Sequence, residues 1–497
     1  MPFKLDWLRA HSLRKSLTFK IAAVVPLLLG FLQANLSLQP LMAQVRTQPG
    51  AVSMPVTGEI LPGSEALGRL DKVMEQILLR HEVPGAGVAI THDGKLLVAR
   101  GYGLADVEAR QPVEPTTLFA LASVSKPITA ITALKLVEDD RLALDQRALA
   151  MLGELKAPPG HALDPRLRTI TLRMLLEHAG GWDRKTSGDP CTFGSRVHDE
   201  LKVPLPVTID QLIYYMNGQP LDFTPGTKQV YSNYGFAIAG RMVAQATGEP
   251  YVASVEKITL EPMGIHGIKM TEPREPNKEA KYFPNEAHRY FAGTTKSLPA
   301  GHNIVAAAAG GWCGSPVALA RFLTAIDGTR TGKPFLSAKL MAEMLAQPEP
   351  PLAVRKNGSW FGLGWDSVRE IPNWPHHAEV FAEGRKQKRG VGSEGREKSE
   401  TAQRRAEIDE LAWGKDGGLP GVSTWIEHLP GGIDWVVLFN GSKRQSVAGE
   451  KTITAEDEEH PSEAPQGNAL QDARKEVVEL LRDVKQWPEG DLFEKYR

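Results

Sequence analysis

The sequence is poor in cysteine: Cys191 and Cys313 are the only two among 497 residues. That excludes a disulfide-knit scaffold and a zinc site built on cysteine. At most the two form a single bridge, and then only in an oxidising compartment. An excess of one charge is missing too. Lys and Arg number 58 against 59 Asp and Glu, a formal net charge of −1, so bulk basicity gives no ground for a nucleic-acid partner. No apolar run reaches the roughly 20 residues that a membrane-spanning helix needs. Two catalytic signatures are also absent, the G-x-S-x-G elbow of Ser-His-Asp hydrolases and the H-E-x-x-H metal motif. Adjacent His376 and His377 border a charged stretch, where solvation accounts for them without a metal. No metal or other cofactor is expected.

What is present is ordinary globular material, 42% hydrophobic and 24% charged. Lys4, Arg9, Arg14, Lys15 and Lys20 precede and flank a short apolar run, Ile21 to Leu32, broken by Pro26. Leu41-Met42-Ala43 then offers a cleavage site with a small last residue, and Ala34 is an alternative. This reads as a signal peptide over 1–43 and predicts a periplasmic or secreted protein, with membrane contact only if the segment stays uncleaved. Residues 44–62, rich in Pro, Gly and Thr, read as a linker. A helical spacing begins at Leu67, and two β-rich runs, Gly85 to Thr91 and Lys95 to Tyr102, flank His92-Asp93-Gly94, a hairpin signal. The middle of the chain reads mostly as helix and loop, clearest at Thr171 to His178 and Gly235 to Ala246. Strands return at Val422 to Leu429 and Trp435 to Phe439, and an amphipathic helix carrying Leu470, Ala473, Val477 and Leu481 closes the chain. The expected fold is therefore α+β: an antiparallel β-sheet flanked by helices, assembled from distant segments, with an inserted helical lobe. The main domain spans 63–487, its sheet lobe 63–126 plus 346–487 and its helical lobe 127–345. A charged insertion over 373–410 and an acidic stretch over 443–467 interrupt it as solvated segments.

Three S-x-x-K sequences occur, Ser12 to Lys15, Ser123 to Lys126 and Ser254 to Lys257. On a helix, residues three apart share a face, where a lysine amine of lowered pKa can take the proton of a serine hydroxyl. Ser12 falls in the export segment. Ser123 has further company downstream: Tyr231-Ser232-Asn233, then Lys415-Asp416-Gly417-Gly418. A tyrosine oxygen beside a cation can exchange protons with the serine and a leaving group. An asparagine amide can orient a carbonyl, and a glycine pair on an edge strand admits close approach of substrate backbone.

In this order the three motifs resemble the serine β-lactamase and penicillin-binding protein superfamily, specifically its class C β-lactamase-like branch of β-lactamases, D-alanyl-D-alanine carboxypeptidases, D-aminopeptidases and esterases. Leu176-Glu177-His178-Ala179-Gly180-Gly181, Glu261-Pro262-Met263-Gly264-Ile265 and Phe361-Gly362-Leu363-Gly364-Trp365 match further family segments, so the likeness runs from about Leu67 to Asn440. The Ser254 pair has no place in that pattern. The resemblance implies Ser123 as the acyl-accepting nucleophile, Lys126 as its proton partner and Tyr231 as the acid/base for leaving group and water. It implies Asn233 as a holder of the substrate carbonyl, and Lys415 as the cation that lowers the Tyr231 pKa or meets a substrate carboxylate. The N–H groups of Ser123 and Gly418 would form the oxyanion hole, with Gly417 beside them. Which of Lys126 and Tyr231 takes the serine proton stays open. Asp416 departs from the family's Thr or Ser: aimed into the cleft it would repel anionic substrates, aimed away it would change little. The expected protein is a serine hydrolase for a small-molecule or peptide substrate, cleaving an ester, amide or peptide bond. The competing expectation is a catalytically silent binding protein on the same fold.

Overall fold

The computed structural model describes residues 54–328, 334–372, 374–375, 410–443 and 468–496. The expected signal peptide, nearly all of the charged insertion and nearly all of the acidic stretch lie outside them.

Three strands open the fold: β1 (Val56–Ile60), β2 (Gly85–His92) and β3 (Lys95–Asp106). Five short ones follow, β4 (Gln111–Pro112), β5 (Phe119–Ala120), β6 (Ile268–Met270), β7 (Tyr290–Phe291) and β8 (Trp312–Gly314). Four more, β9 (Ser367–Glu370), β10 (Leu411–Leu419), β11 (Val422–Leu429) and β12 (Ile433–Phe439), complete the main sheet. Its order is β1-β3-β2-β12-β11-β10-β9, with β4 appended to β3 and neighbours antiparallel. Asp93 and Gly94 both adopt positive φ, 47° and 72°, as the two central residues of a tight hairpin must when their twist matches that of the strands. The helices used below are α1 (Leu70–His81), α2 (Ser125–Glu138), α3 (Asn233–Thr247), α4 (Pro316–Asp327) and α5 (Ala469–Arg482).

Residues opposite one another across antiparallel strands share a face. Trp425, Val437 and Val88 line one face, where the Arg474 guanidinium of α5 lies 3.7 Å from the centre of the Trp425 ring. α1 runs beside α5, joined to it by Arg80–Glu476 at 3.0 Å and by His81 Nε2 and Asp472 Oδ2 at 2.8 Å. Leu438 and Gly87 lie on the other face, and there a Cβ on Gly87 would stand 2.5 Å from Pro316 of α4. The segment between β5 and β9 covers that second face. α2 is buried almost all round; α3 begins at a Ser232 cap that accepts the Gly235 N–H at 3.1 Å and stops at Gly248 with φ 74°.

Three local expectations change, and one open question closes. The stretch read as linker contains β1, whose five residues pair with Val98 to Tyr102 of β3; so short a strand, with Gly58 at its centre, carries too little alternation to announce itself. The helix expected over Thr171 to His178 spans only Leu172–Leu176, because His178 and Gly181 turn the chain at φ 62° and 108°. The helical lobe also holds β6 and β8, which join β5 in a small sheet ordered β5-β8-β6. Cys191 and Cys313 are free buried thiols, so no bridge joins them.

Candidate active site

Leu121 to Lys126 is the pivot of the site. Ser123 lies in a 3₁₀ turn, Ala122–Val124, that leads into α2, so Lys126 occupies the first turn of the helix and Ser123 the turn before it. Ala122, immediately before Ser123, has φ 49°, a left-handed conformation that strains an alanine and is held here by full burial. β10 presses onto this turn. A Cβ on Gly417 would meet Leu121 O at 2.3 Å and Ser123 N at 3.2 Å, so only glycine lets the strand come this close. Thr424 Oγ1 of β11 ties the turn down by donating to Leu121 O at 3.1 Å. The pairing of β10 with β9 ends at Gly414, which leaves the Lys415–Leu419 edge of the strand toward the turn. A Cβ on Gly418 would find open space.

Two side chains reach Ser123 Oγ, and Asn233 and Lys415 stand beside them. Tyr231 Oη donates to Ser123 Oγ at 2.5 Å. Lys126 Nζ lies 3.1 Å from Ser123 Oγ, 2.8 Å from Asn233 Oδ1 and 3.0 Å from Ala309 O. It also sits 4.6 Å from the centre of the Tyr231 ring, and Lys415 Nζ sits 5.1 Å from that centre. Burial lowers the Lys126 amine to about 7, with the nearby Lys415 charge adding to the effect. A neutral amine has two N–H bonds and one lone pair. With Asn233 Oδ1 and Ala309 O taking the hydrogens, the lone pair faces the Ser123 hydroxyl, which is the geometry of a general base. Burial raises the Tyr231 phenol well above its ordinary value, against the opposing pull of Lys415.

The sequence-predicted residues Ser123, Lys126, Tyr231, Asn233 and Lys415 thus come together. Ser254 and Lys257 do not: Ser254 bonds to Thr247, Glu249 and Pro250, and Lys257 pairs with Glu249. Asn233 is more engaged than expected, since its Nδ2 also donates to Asp189 Oδ2 at 2.6 Å. It buttresses Lys126 and keeps one amide hydrogen in reserve. Asp416 is in register with Trp425, on the face opposite Lys415 and Ile426, yet its Oδ1 bends back to 3.4 Å from Lys415 Nζ. Its carboxylate is turned to the lysine.

Three contributors carry no motif of their own. Asp189 holds Asn233. Asp366, directly after the Phe361 to Trp365 segment, forms a buried ion pair with Lys415, their side chains 4% and 1% exposed. His178 accepts the Ser232 N–H on Nδ1 at 3.1 Å and lies against the Tyr231 ring with centroids 4.6 Å apart. Only His178 lay in a segment the sequence singled out.

A half-buried serine with a buried lysine and tyrosine, set between an antiparallel sheet and a helical lobe, defines the class, a serine hydrolase of β-lactamase/transpeptidase-like fold. The Beta-lactamase family model matches residues 70–457, and the chain belongs to that family. Among curated proteins it is similar to Esterase EstB of Burkholderia gladioli, 28% identical over 354 residues, covering 66% of this chain and 87% of that one. Among solved structures it is similar to the D-alanine carboxypeptidase AmpC of Burkholderia cenocepacia, at 21% identity and TM-score 0.55 over 76% of this chain and 95% of that one. The octameric penicillin-binding protein homologue from Pyrococcus abyssi gives 22% identity and TM-score 0.54 over 76% and 74%.

Proposed function

We propose that this protein is an exported serine hydrolase that cleaves an ester, amide or peptide bond through an acyl-enzyme on Ser123. The observation that carries the reading is the bracketing of Ser123 Oγ by Tyr231 Oη at 2.5 Å and by a half-neutral Lys126 at 3.1 Å. Lys126 takes the Ser123 proton as Oγ attacks the substrate carbonyl. The developing oxyanion meets the N–H groups of Ser123 and Gly418, donors typically worth about 3–4 kcal/mol in a transition state. Tyr231 gives its proton to the leaving group. Water then returns a proton to the Tyr231 oxygen as its hydroxide attacks the acyl carbon, and Ser123 recovers its own from Lys126, so the cycle closes with no proton gained or lost.

An ester is the favoured substrate, because a curated relative matched over 87% of its length is named an esterase. Export rests on the basic and apolar composition of 1–43, and it predicts a periplasmic or secreted chain whose mature N-terminus follows Ala43. Intact-protein mass spectrometry after a fluorophosphonate probe tests the chemistry: one adduct is expected, and Ser123→Ala should abolish it. A wild-type protein that takes no adduct would instead be the silent binding protein. A panel of esters, D-amino-acid peptides and a chromogenic cephalosporin, ranked by kcat/KM, tests the substrate class.

A further inference from the structure

Beside the Tyr231 ring lies a buried set of titratable groups that the acyl-transfer cycle does not use directly. Lys415 Nζ is flanked by two carboxylates, that of Asp366 in a buried ion pair and Asp416 Oδ1 at 3.4 Å. The other Asp366 oxygen, Oδ1, has no hydrogen-bond partner, and neither does His178 Nε2; the two face each other at 3.6 Å. Because His178 Nδ1 accepts the Ser232 N–H, the proton of a neutral imidazole belongs on Nε2, aimed at Asp366. Burial lowers His178 to about 4, which keeps that imidazole neutral at pH 7. Asp366 therefore gathers two groups that lie against Tyr231, the Lys415 ammonium and the His178 ring.

We propose that Asp366 is a positioning residue that neutralises Lys415 internally, so that Tyr231 remains a phenol and works as proton donor while Lys126 alone serves as base. The inference rests on the acyl-enzyme reading above and assigns the roles within it. An unneutralised Lys415 5.1 Å from the Tyr231 ring centre would favour the phenolate. The charged and titratable groups around the ring are Lys126 from α2, Lys415 and Asp416 from β10, Asp366 from the loop before β9, His178 from the turn after Leu176, and exposed Arg184, its guanidinium 5.3 Å from the ring centre. Asp366 and Lys415 are fully sheltered from screening. Arg355 also approaches, but it donates to the Asp366 backbone oxygen at 2.6 Å and leaves the carboxylate to Lys415.

The test is the alkaline limb of kcat/KM on a neutral ester. In Asp366→Asn the limb should move to lower pH by roughly one unit, a tenfold change in the phenolate fraction, and Asp366→Glu, which keeps the charge, should restore it. A second measurement needs no variant at Asp366. In wild-type protein carrying ¹³C-labelled tyrosine, the Tyr231 resonance, assigned by its loss in Tyr231→Phe, should stay phenolic through pH 10. Phenolate at neutral pH in the wild type, or an unmoved limb in a folded Asp366→Asn that still takes the fluorophosphonate adduct, overturns the proposal. Absence of an adduct in the wild type strikes the acyl-enzyme reading instead.

Discussion

Lys126 and Lys415 lie 4.6 and 5.1 Å from the centre of the Tyr231 ring and are equally buried, at 0% and 1% exposure, yet the protein puts them in opposite states. Around Lys126 every acceptor is neutral: a hydroxyl, an amide oxygen and a backbone carbonyl. None of them repays the loss of hydration of an ammonium, so burial wins and the amine falls to about 7. Around Lys415 burial pulls the same way, but Asp366 and Asp416 reverse it and hold the amine above its ordinary value. The Asp366 carboxyl, which burial alone would raise, is in turn held well below its usual range by Lys415. Burial does not decide the charge of a lysine; its nearest acceptors do. One strand edge and one helix end thereby place a fixed cation and an amine near neutrality within the same site.

The largest effects should come from breaking each side in turn. Lys126→Ala removes the proton acceptor and should lower kcat/KM by about 10²–10⁴-fold, the usual contribution of a positioned acid/base, while near-native circular dichroism shows the fold retained. Lys415→Met should act mainly on stability. It strands Asp366 as a buried unpaired charge, a loss of about 3–5 kcal/mol, read from urea unfolding at pH 7. The matched Lys126→Met should cost no more than about 2 kcal/mol, since removing an amine whose charged form the fold disfavours offsets the hydrogen bonds it loses. Equal losses from the two replacements would erase the distinction between the lysines.

pH sharpens the comparison further. The Lys126 amine is near 7 when folded against an ordinary 10.5. Between those values the unfolded chain holds a proton that the folded chain has released, so raising the pH favours folding, by at most about 1.4 kcal/mol per unit. Lys415 runs the other way: its folded value is raised, so its contribution is complete below 10.5 and is lost only as the pH climbs through the folded value. Unfolding free energies from pH 7 to 10 should therefore rise more steeply for wild type than for Lys126→Met. Parallel curves would mean that Lys126 is charged in the folded protein.

The half of this comparison that was readable in advance is the half that motifs carry. Ser123, Lys126, Tyr231, Asn233 and Lys415 were legible because their motifs resemble those of a known family in that order, and the β2–β3 and β11–β12 hairpins because apolar runs meet at the Asp93-Gly94 and Gly431-Gly432 turns. Asp366 was not legible. A lone aspartate after a tryptophan has no spacing or periodicity to mark it, and its meaning comes from β9 lying beside β10, a contact that closes over some 49 residues of sequence. Asp189 is hidden in the same way, reaching Asn233 across a 44-residue separation. β1 was missed because an edge strand of five residues, mostly half-buried, has no apolar face to reveal.

Asp416 gives the smallest expected effect and the finest test of how local the Lys415 environment is. Read from sequence, a carboxylate in place of a hydroxyl at this position either guards the cleft against anions or does nothing. The register gives a third arrangement, in which the side chain rises from the face that carries Trp425 and turns back toward Lys415. Burial raises its carboxyl, with Lys415 opposing, so it is a weaker partner for the lysine than Asp366. Asp416→Thr should leave kcat/KM on a neutral ester within about twofold, because Asp366 alone still neutralises Lys415. On a matched ester whose leaving group bears a carboxylate it should raise kcat/KM by roughly twofold to tenfold, the scale of one partly screened charge at a few ångströms. A large loss on the neutral ester would mean that both carboxylates are needed to hold Lys415; no gain on the anionic one would mean that the Asp416 charge never reaches the cleft.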